Sequence, residues 1–371
     1  MRLLAGLLGA ARLVAQPAPG YEFGTELVAE LAAQKPRQNV FVSPISVLMA
    51  LGMAELGTSG PTREAIRRTT GTDPDALASL SRSLRARNGV ELSIANAVWA
   101  DRRITLAPAF VSQCRELFQA DARTLDFLDP EAAEVINAWV PHETRNKIDG
   151  IVNRRTVAGA KTILTNAVYF KGKWQIPFAK ELTSPAAFHL GSGERKVPFM
   201  HAPLLRGAYR NGDGFEAAIL PYGPPDAPAE MELCILLPAV GTRPENLRAR
   251  VPLPAPQQDV DLELRLPKFT LNFDASLKPA LNRMGMTRAF EPAPGLFIGD
   301  VFHRSRLEID EEGTVAAAVT AIVAPTGAAP PRMRQKKTLI IDRPFALIVF
   351  DRRTNATLFA GVVYDPQNQQ P

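Results

Sequence analysis

The chain has 371 residues, of which 46% are apolar and 22% charged, an ordinary balance for a globular protein that excludes a disordered one. That length holds a sizeable core, in two or three average domains or in one large one. The net charge of +5 is spread along the sequence apart from Arg332, Arg334, Lys336 and Lys337. This cluster has no interleaved aromatics, so it reads as a solvated loop face rather than a nucleic-acid surface.

At the start, Met1-Arg2 precedes the apolar run Leu3–Ala10, and Ala15 stands before Gln16-Pro17, the layout of a signal peptide over residues 1–15 and of a secreted or periplasmic protein. Arg12 interrupts the run, so an amphipathic leading helix, with a cytoplasmic location, is the alternative. No other stretch approaches a membrane span without charges. Helices come first. Tyr21–Ala33 places Phe23, Leu27, Val28 and Leu31 at helical spacing. Ser43-Pro44 opens a second helix in the favoured order of N-cap then proline, and Pro61–Thr69 and Asp75–Ala86 predict two more. Val90–Ala100 is the first long strand. Two helices then lead to the strand Thr162–Lys171.

Beyond Phe188 the pattern is short strands and turns: Phe215–Leu220, Met231–Leu237 and Val260–Leu266, with turn chemistry at Asn211-Gly212-Asp213-Gly214 and Pro221-Tyr222-Gly223-Pro224. Pro252–Pro256 reads as an exposed loop within one domain. Cys114, on the helical pattern Phe110, Cys114, Leu117, Phe118, and Cys234, inside the strand Met231–Leu237, are small core residues with nothing to pair them. Val301–Ile309 is a further strand, and Leu339–Ile341 with Phe345–Phe350 make a closing strand pair. Helices early and sheets late predict an α+β fold.

Catalytic motifs fail residue by residue. After His142-Glu143 the second zinc-ligand position holds Asn146, and after Gly52 and Gly57 the phosphate-loop lysine is Thr58. In Gly212-Asp213-Gly214 the third dinucleotide glycine is Ala217. No Gly-x-Ser-x-Gly elbow exists, and four histidines, His142, His189, His201 and His303, leave few acid–base constellations. The chain is not expected to be an enzyme.

The most informative stretch is Glu311-Glu312-Gly313-Thr314-Val315-Ala316-Ala317-Ala318-Val319-Thr320. Two acids end the Val301–Ile309 run, a glycine frees the backbone, and small or β-branched side chains follow. Alone, an alanine-rich decapeptide is as readily a helix or a linker. Nothing after Gly313 is too bulky or charged, however, to slide edgewise between strands.

Matches in order from residue 21 to the C-terminus decide the reading. They are Phe41-Val42-Ser43-Pro44-Ile45-Ser46, Ile136–Val140 continuing to Thr144, Lys147 and Ile148, Thr165–Trp174 ending at Phe178, Val197–Met200, Leu220-Pro221-Tyr222, Leu266-Pro267-Lys268-Phe269, Leu281–Met286 and Asp342-Arg343-Pro344-Phe345. With the decapeptide as hinge of a reactive-centre loop, the chain resembles the serpins, serine protease inhibitors, of inhibitory type and prokaryote-like short form. Serpins are the standard example of loop insertion into a sheet.

The resemblance implies one domain over residues 16–371. It would have a large central mixed β-sheet, two further sheets, about eight or nine helices and an exposed loop over about residues 311–338. It places Ser43, Ser46, Asn166 and His303 in a polar cluster beneath the sheet, the shutter. Trp174, Lys268 and Glu311 fall at the top, the breach, with a Lys268–Glu311 ion pair holding the hinge. The implied activity is suicide inhibition of serine, alternatively cysteine, endopeptidases; a non-inhibitory carrier or chaperone is the alternative. A monomer is expected, with no cofactor, metal, nucleic acid or membrane.

Three departures stand out. Val315 replaces the usual acid. The stretch from Gly71 to Val90 is short, so no glycosaminoglycan activation is expected. The loop from Gly313 to Pro344 is long, so the cut is not set by counting from its far end. Counting seventeen residues with Glu311 first gives Gly327–Ala328 as the scissile bond, two residues ahead of Pro330-Pro331, which suits an elastase-like or subtilisin-like target. The alternative is a cut after Arg332, before Met333, or after Arg334.

Overall fold

A computed structural model of the chain describes residues 19–84, 87, 89–247, 260–293, 296–313 and 334–367. The first half carries helices α1 (Tyr21–Gln34), α2 (Pro44–Gly57), α3 (Gly60–Thr70), α4 (Pro74–Leu84), α5 (Pro108–Phe118), α6 (Ala132–Glu143) and α7 (Arg154–Ala158); α8 (Lys278–Leu281) comes late. Strands β1 (Val40–Val42), β2 (Val90–Asp101), β3 (Asp121–Leu125) and β4 (Thr162–Gly172) are interspersed among them. The second half adds β5 (Ser184–His189), β6 (Glu194–Arg206), β7 (Tyr209–Gly212), β8 (Phe215–Tyr222), β9 (Met231–Pro238), β10 (Val260–Pro267) and β11 (Phe269–Ser276). β12 (Asp300–Ile309), β13 (Gln335–Ile340), β14 (Phe345–Asp351) and β15 (Thr357–Val363) complete it.

The strands form three sheets, in the orders β1-β15-β14-β9-β8-β7, β13-β10-β6-β5 and β11-β12-β4-β2-β3. The last is the central mixed sheet: β12 and β4 are parallel neighbours, and each is antiparallel to the strand on its other side. Residue patterns explain these places. β9, β14 and β15 are apolar on both faces and fully buried, as interior strands covered on both sides must be. β10 and β12 alternate, and present one face to a core. α2 is apolar all round and buried from Pro44 to Glu55 between the central and six-stranded sheets. A second, smaller core of Trp99, Ile136, Trp139, Ile163, Tyr169 and Phe302 seats α6 on the opposite, outer face of the central sheet.

Several expectations need correction. β3 was not read from the sequence, because Asp121–Leu125 is a half-exposed edge strand without an apolar face, and α7 precedes β4 where only two helices were expected. Leu339–Ile341 and Phe345–Phe350 are not partners: β13 pairs with β10, while β14 pairs with β9 and β15. β13 also starts at Gln335, so the loop does not reach residue 338. Lys336 and Lys337 are strand residues, not a loop face, and Lys337 lies 2.6 Å from Glu216 and over the ring of Tyr209. Pro221 and Tyr222 end β8 rather than turning, and the turn follows at Gly223. Residues 1–15 and Pro252–Pro256 lie outside the described residues.

Candidate functional site

The site is the seam between β4 and β12, paired in register from Asp300 opposite Ile163 to Leu307 opposite Phe170. Beneath its centre, Asn166 and His303 face each other across the seam, and both are fully buried. His303 Nδ1 meets Asn166 Oδ1. The Asn166 amide donates to Ser46 Oγ on α2 and to Asn96 Oδ1 on β2. The backbone N–H of Ser43 reaches His303 Nε2 at 3.3 Å, while the Ser43 hydroxyl caps α2 by accepting from Ser46 N. Ser43 therefore joins the cluster through its main chain, and its side chain serves the helix. Burial pushes the His303 imidazole down to about 3, so it is neutral at any physiological pH.

The sequence reading missed two members. Asn96 stands directly opposite Asn166 in the β2–β4 ladder, and Ser305 Oγ donates to the Phe41 carbonyl at 2.6 Å. The sequence carries a signal for Asn96: an asparagine inside the apolar run Ile94–Ala100 must find a partner when buried.

Above the last paired residues the chain turns into the hinge. Lys268 Nζ lies 2.7 Å from Glu311 Oε2, and the Thr183 hydroxyl donates to Glu311 Oε1 at 2.9 Å. Burial works against the charge of Glu311, but Lys268 and Thr183 outweigh it and hold the carboxyl below its usual range. Main-chain bonds add to this: Phe178 N to Glu311 O at 2.8 Å and Trp174 N to Glu312 O at 3.3 Å. Trp174 donates from its indole to the Asp310 carbonyl at 2.7 Å and stacks on Tyr222 with centroids 4.5 Å apart. Lys180 pairs with Glu312. Gly313 takes φ 62°, and a Cβ there would lie 2.3 Å from Trp174 N and 2.4 Å from the Gly172 carbonyl, so only glycine fits.

Thus Trp174, Lys268 and Glu311 come together at one end of the seam, and Ser43, Ser46, Asn166 and His303 beneath its middle. Thr314, Val315, Ala316, Ala317, Ala318, Val319, Thr320, Gly327, Ala328, Arg332 and Met333 lie outside the described residues. Arg334 begins the chain's return, 4.0 Å from Asp261 of β10. Cys114 and Cys234 are free and buried, as expected. Among the described residues no cluster of His, Cys, Asp or Glu could hold a metal, and no helix is long and apolar enough to cross a membrane.

Comparison with known proteins adds family evidence to this geometry. The family model "Serpin (serine protease inhibitor)" matches residues 20–366. Iripin-8 of Ixodes ricinus is 31% identical, over 92% of this chain and 91% of its own length. The Arabidopsis AtSerpin1 structure, in its native stressed conformation, is 26% identical with a TM-score of 0.79, covering 93% of this chain and 96% of that one. Human thyroxine-binding globulin complexed with thyroxine shares the fold at 23% identity, with a TM-score of 0.81 over 95% of this chain and 98% of that one.

Proposed function

Because this chain belongs to the serpin family, one of protease inhibitors rather than enzymes, we propose that it is a suicide inhibitor of serine endopeptidases, with cysteine endopeptidases as a second class. The protease attacks the loop between Gly313 and Arg334 as a substrate and forms an acyl-enzyme. The cleaved loop enters the seam as a new strand, antiparallel to both β4 and β12, and carries the tethered protease with it. Distortion of the protease then traps the acyl-enzyme before water can release it.

The observation that carries this reading is the seam itself. β4 and β12 are parallel neighbours with no strand between them, and the hinge leaves the top of β12. An inserted strand repairs every main-chain bond broken when the two part and adds a second ladder. The sequence after Gly313 has small residues suited to fast entry, at Thr314 and Ala316–Ala318. Ten residues from Val315 would line the ten of β12 and reach Ala324. That supports Gly327–Ala328 as the scissile bond, three residues further on, over Arg332 or Arg334, and an elastase-like or subtilisin-like target over a trypsin-like one.

The competing reading is a non-inhibitory carrier. Against it stands the composition that follows Gly313, where Thr314–Ala324 holds neither a charge nor a proline to slow entry into the seam. With the inhibitor reading goes secretion or a periplasmic location, resting on Leu3–Ala10 and Ala15, with the cytoplasm as the alternative.

Incubation with an elastase, a subtilisin and a trypsin tests the reading. An SDS-stable adduct releasing a peptide that begins at Ala328 is expected. Cleaved chain beside fully active protease at every ratio would sink it in favour of the carrier. An adduct whose released peptide begins at Met333 or Gln335 would move the scissile bond.

A further inference from the structure

The outer face of the seam carries an ion pair with no part in the mechanism so far. Lys171, near the top of β4, lies 3.5 Å from Glu308 of β12, and the two side chains are 21% and 23% exposed. This contact crosses the line along which the sheet would part, just above its last paired residues, Leu307 and Phe170. Each charge also has a neighbour on its own side of that line. Glu308 accepts from Arg306 Nε at 3.0 Å, two residues back along β12. Lys171 stands directly opposite Glu91 in the antiparallel β2–β4 ladder. Side chains so placed share a face, with Cβ atoms about 5 Å apart. The segment that would enter, Thr314–Gly327, has no charged residue, so it offers neither Lys171 nor Glu308 a new partner.

We propose that Lys171 is a two-position latch, bound to Glu308 while β4 and β12 are neighbours and handed to Glu91 when a strand enters between them. The proposal rests on the insertion reading above. A new strand doubles the separation of β4 and β12, from about 4.8 to about 9.6 Å, and takes Glu308 away from Lys171. β2 stays with β4, because the two are paired from Val90–Gly172 to Ala100–Thr162. Glu308 keeps Arg306, so neither charge is stranded by the change. Lys171 and Glu308 are thus positioning residues that set how readily the seam opens, with no role at the scissile bond. The neutral hydrogen bonds of Asn166 and His303 do the same from the underside.

Three near-isosteric variants of the full chain, E308Q, E91Q and K171M, test this by thermal denaturation of native and loop-cleaved protein and by the rate of adduct formation. E308Q is expected to lower the native midpoint, speed insertion about two- to fivefold, as for a partly exposed pair, and lower the cleaved midpoint by less, since only the Arg306 contact is lost there. E91Q is expected to leave the native midpoint unchanged and lower that of the cleaved form. K171M lowers both. A general structural role would move native and cleaved forms by equal amounts, and that result for E308Q or E91Q overturns the latch, as does an unchanged insertion rate in E308Q. If the cleaved wild-type chain gains no thermal stability, the insertion reading itself has failed. If it gains stability but the variants do not separate the two forms, only the latch is lost.

Discussion

Beneath the centre of the seam, β4 and β12 are tied by Asn166 and His303, uncharged and without exposed surface. At its upper end the hinge is tied by charges that face water on one side: Lys268 is 44% exposed and Lys180 66%. The two regions close the same seam at different cost. Breaking the lower cluster leaves polar groups where water cannot reach, each worth about 1–3 kcal/mol. A lysine released at the top is simply rehydrated, and Glu311, although buried, keeps the Thr183 hydroxyl, so the pair contributes about 1 kcal/mol. The sheet is therefore expected to open from the top and to be held shut from the middle.

The most severe way to test this difference is Asn166→Leu. It removes the partner of His303, Asn96 and Ser46 at once and should cost about 3–5 kcal/mol. Denaturant unfolding of the native chain measures it. A loss below about 1 kcal/mol would mean that the lower cluster is no stronger than the upper pairs.

Acid probes the same cluster without mutation. His303 titrates near 3 when folded and near 6.5 when unfolded, so the unfolded chain binds the extra proton between those values. Stability is complete above about pH 6.5. It then falls as pH drops, by about 1.4 kcal/mol per unit from this group, until about pH 3. His303→Gln should flatten that slope. An identical pH profile would place the acid sensitivity elsewhere.

At the top, Gly313→Ala forces a side chain into left-handed backbone and against the Trp174 N–H. Relief requires the hinge to lift, so the native midpoint should drop by the equivalent of about 1–2 kcal/mol. The cleaved form, in which this turn is remade, should change less. The smallest effect is expected from Lys268→Ala, about 0.5 kcal/mol and weaker still in high salt, because Thr183 and the Phe178 N–H continue to hold Glu311. A loss comparable to that of Asn166→Leu would erase the contrast between the two regions.

Much of this architecture could be read along the chain. The all-round apolar pattern of α2, the Ser43 cap, the long strands β2, β4 and β12 and the glycine after two acids at 311–313 are local signals, set by each segment's own side chains. β3 and the start of β13 were not legible. Both are edge strands, and an edge strand needs no apolar face of its own, only the hydrogen-bonding edge of a neighbour.

Periodicity, capping and turn chemistry act over a few neighbours, so the α+β class, the order of most elements, the failure of the catalytic motifs and the residue types of the hinge follow from the chain alone. Which strands became neighbours is a property of the folded molecule. The partners meet across sequence separations of 260 between Ser43 and His303, 137 between Asn166 and His303 and 43 between Lys268 and Glu311. Buried polar groups must be paired, but local pattern does not say with whom; the family resemblance named these partners, whereas Asn96 and Ser305 came only from the fold. Register supplies that answer: a one-residue shift of β4 would turn Asn166 to the outer face, away from His303, and Lys171 to the inner one, away from Glu308.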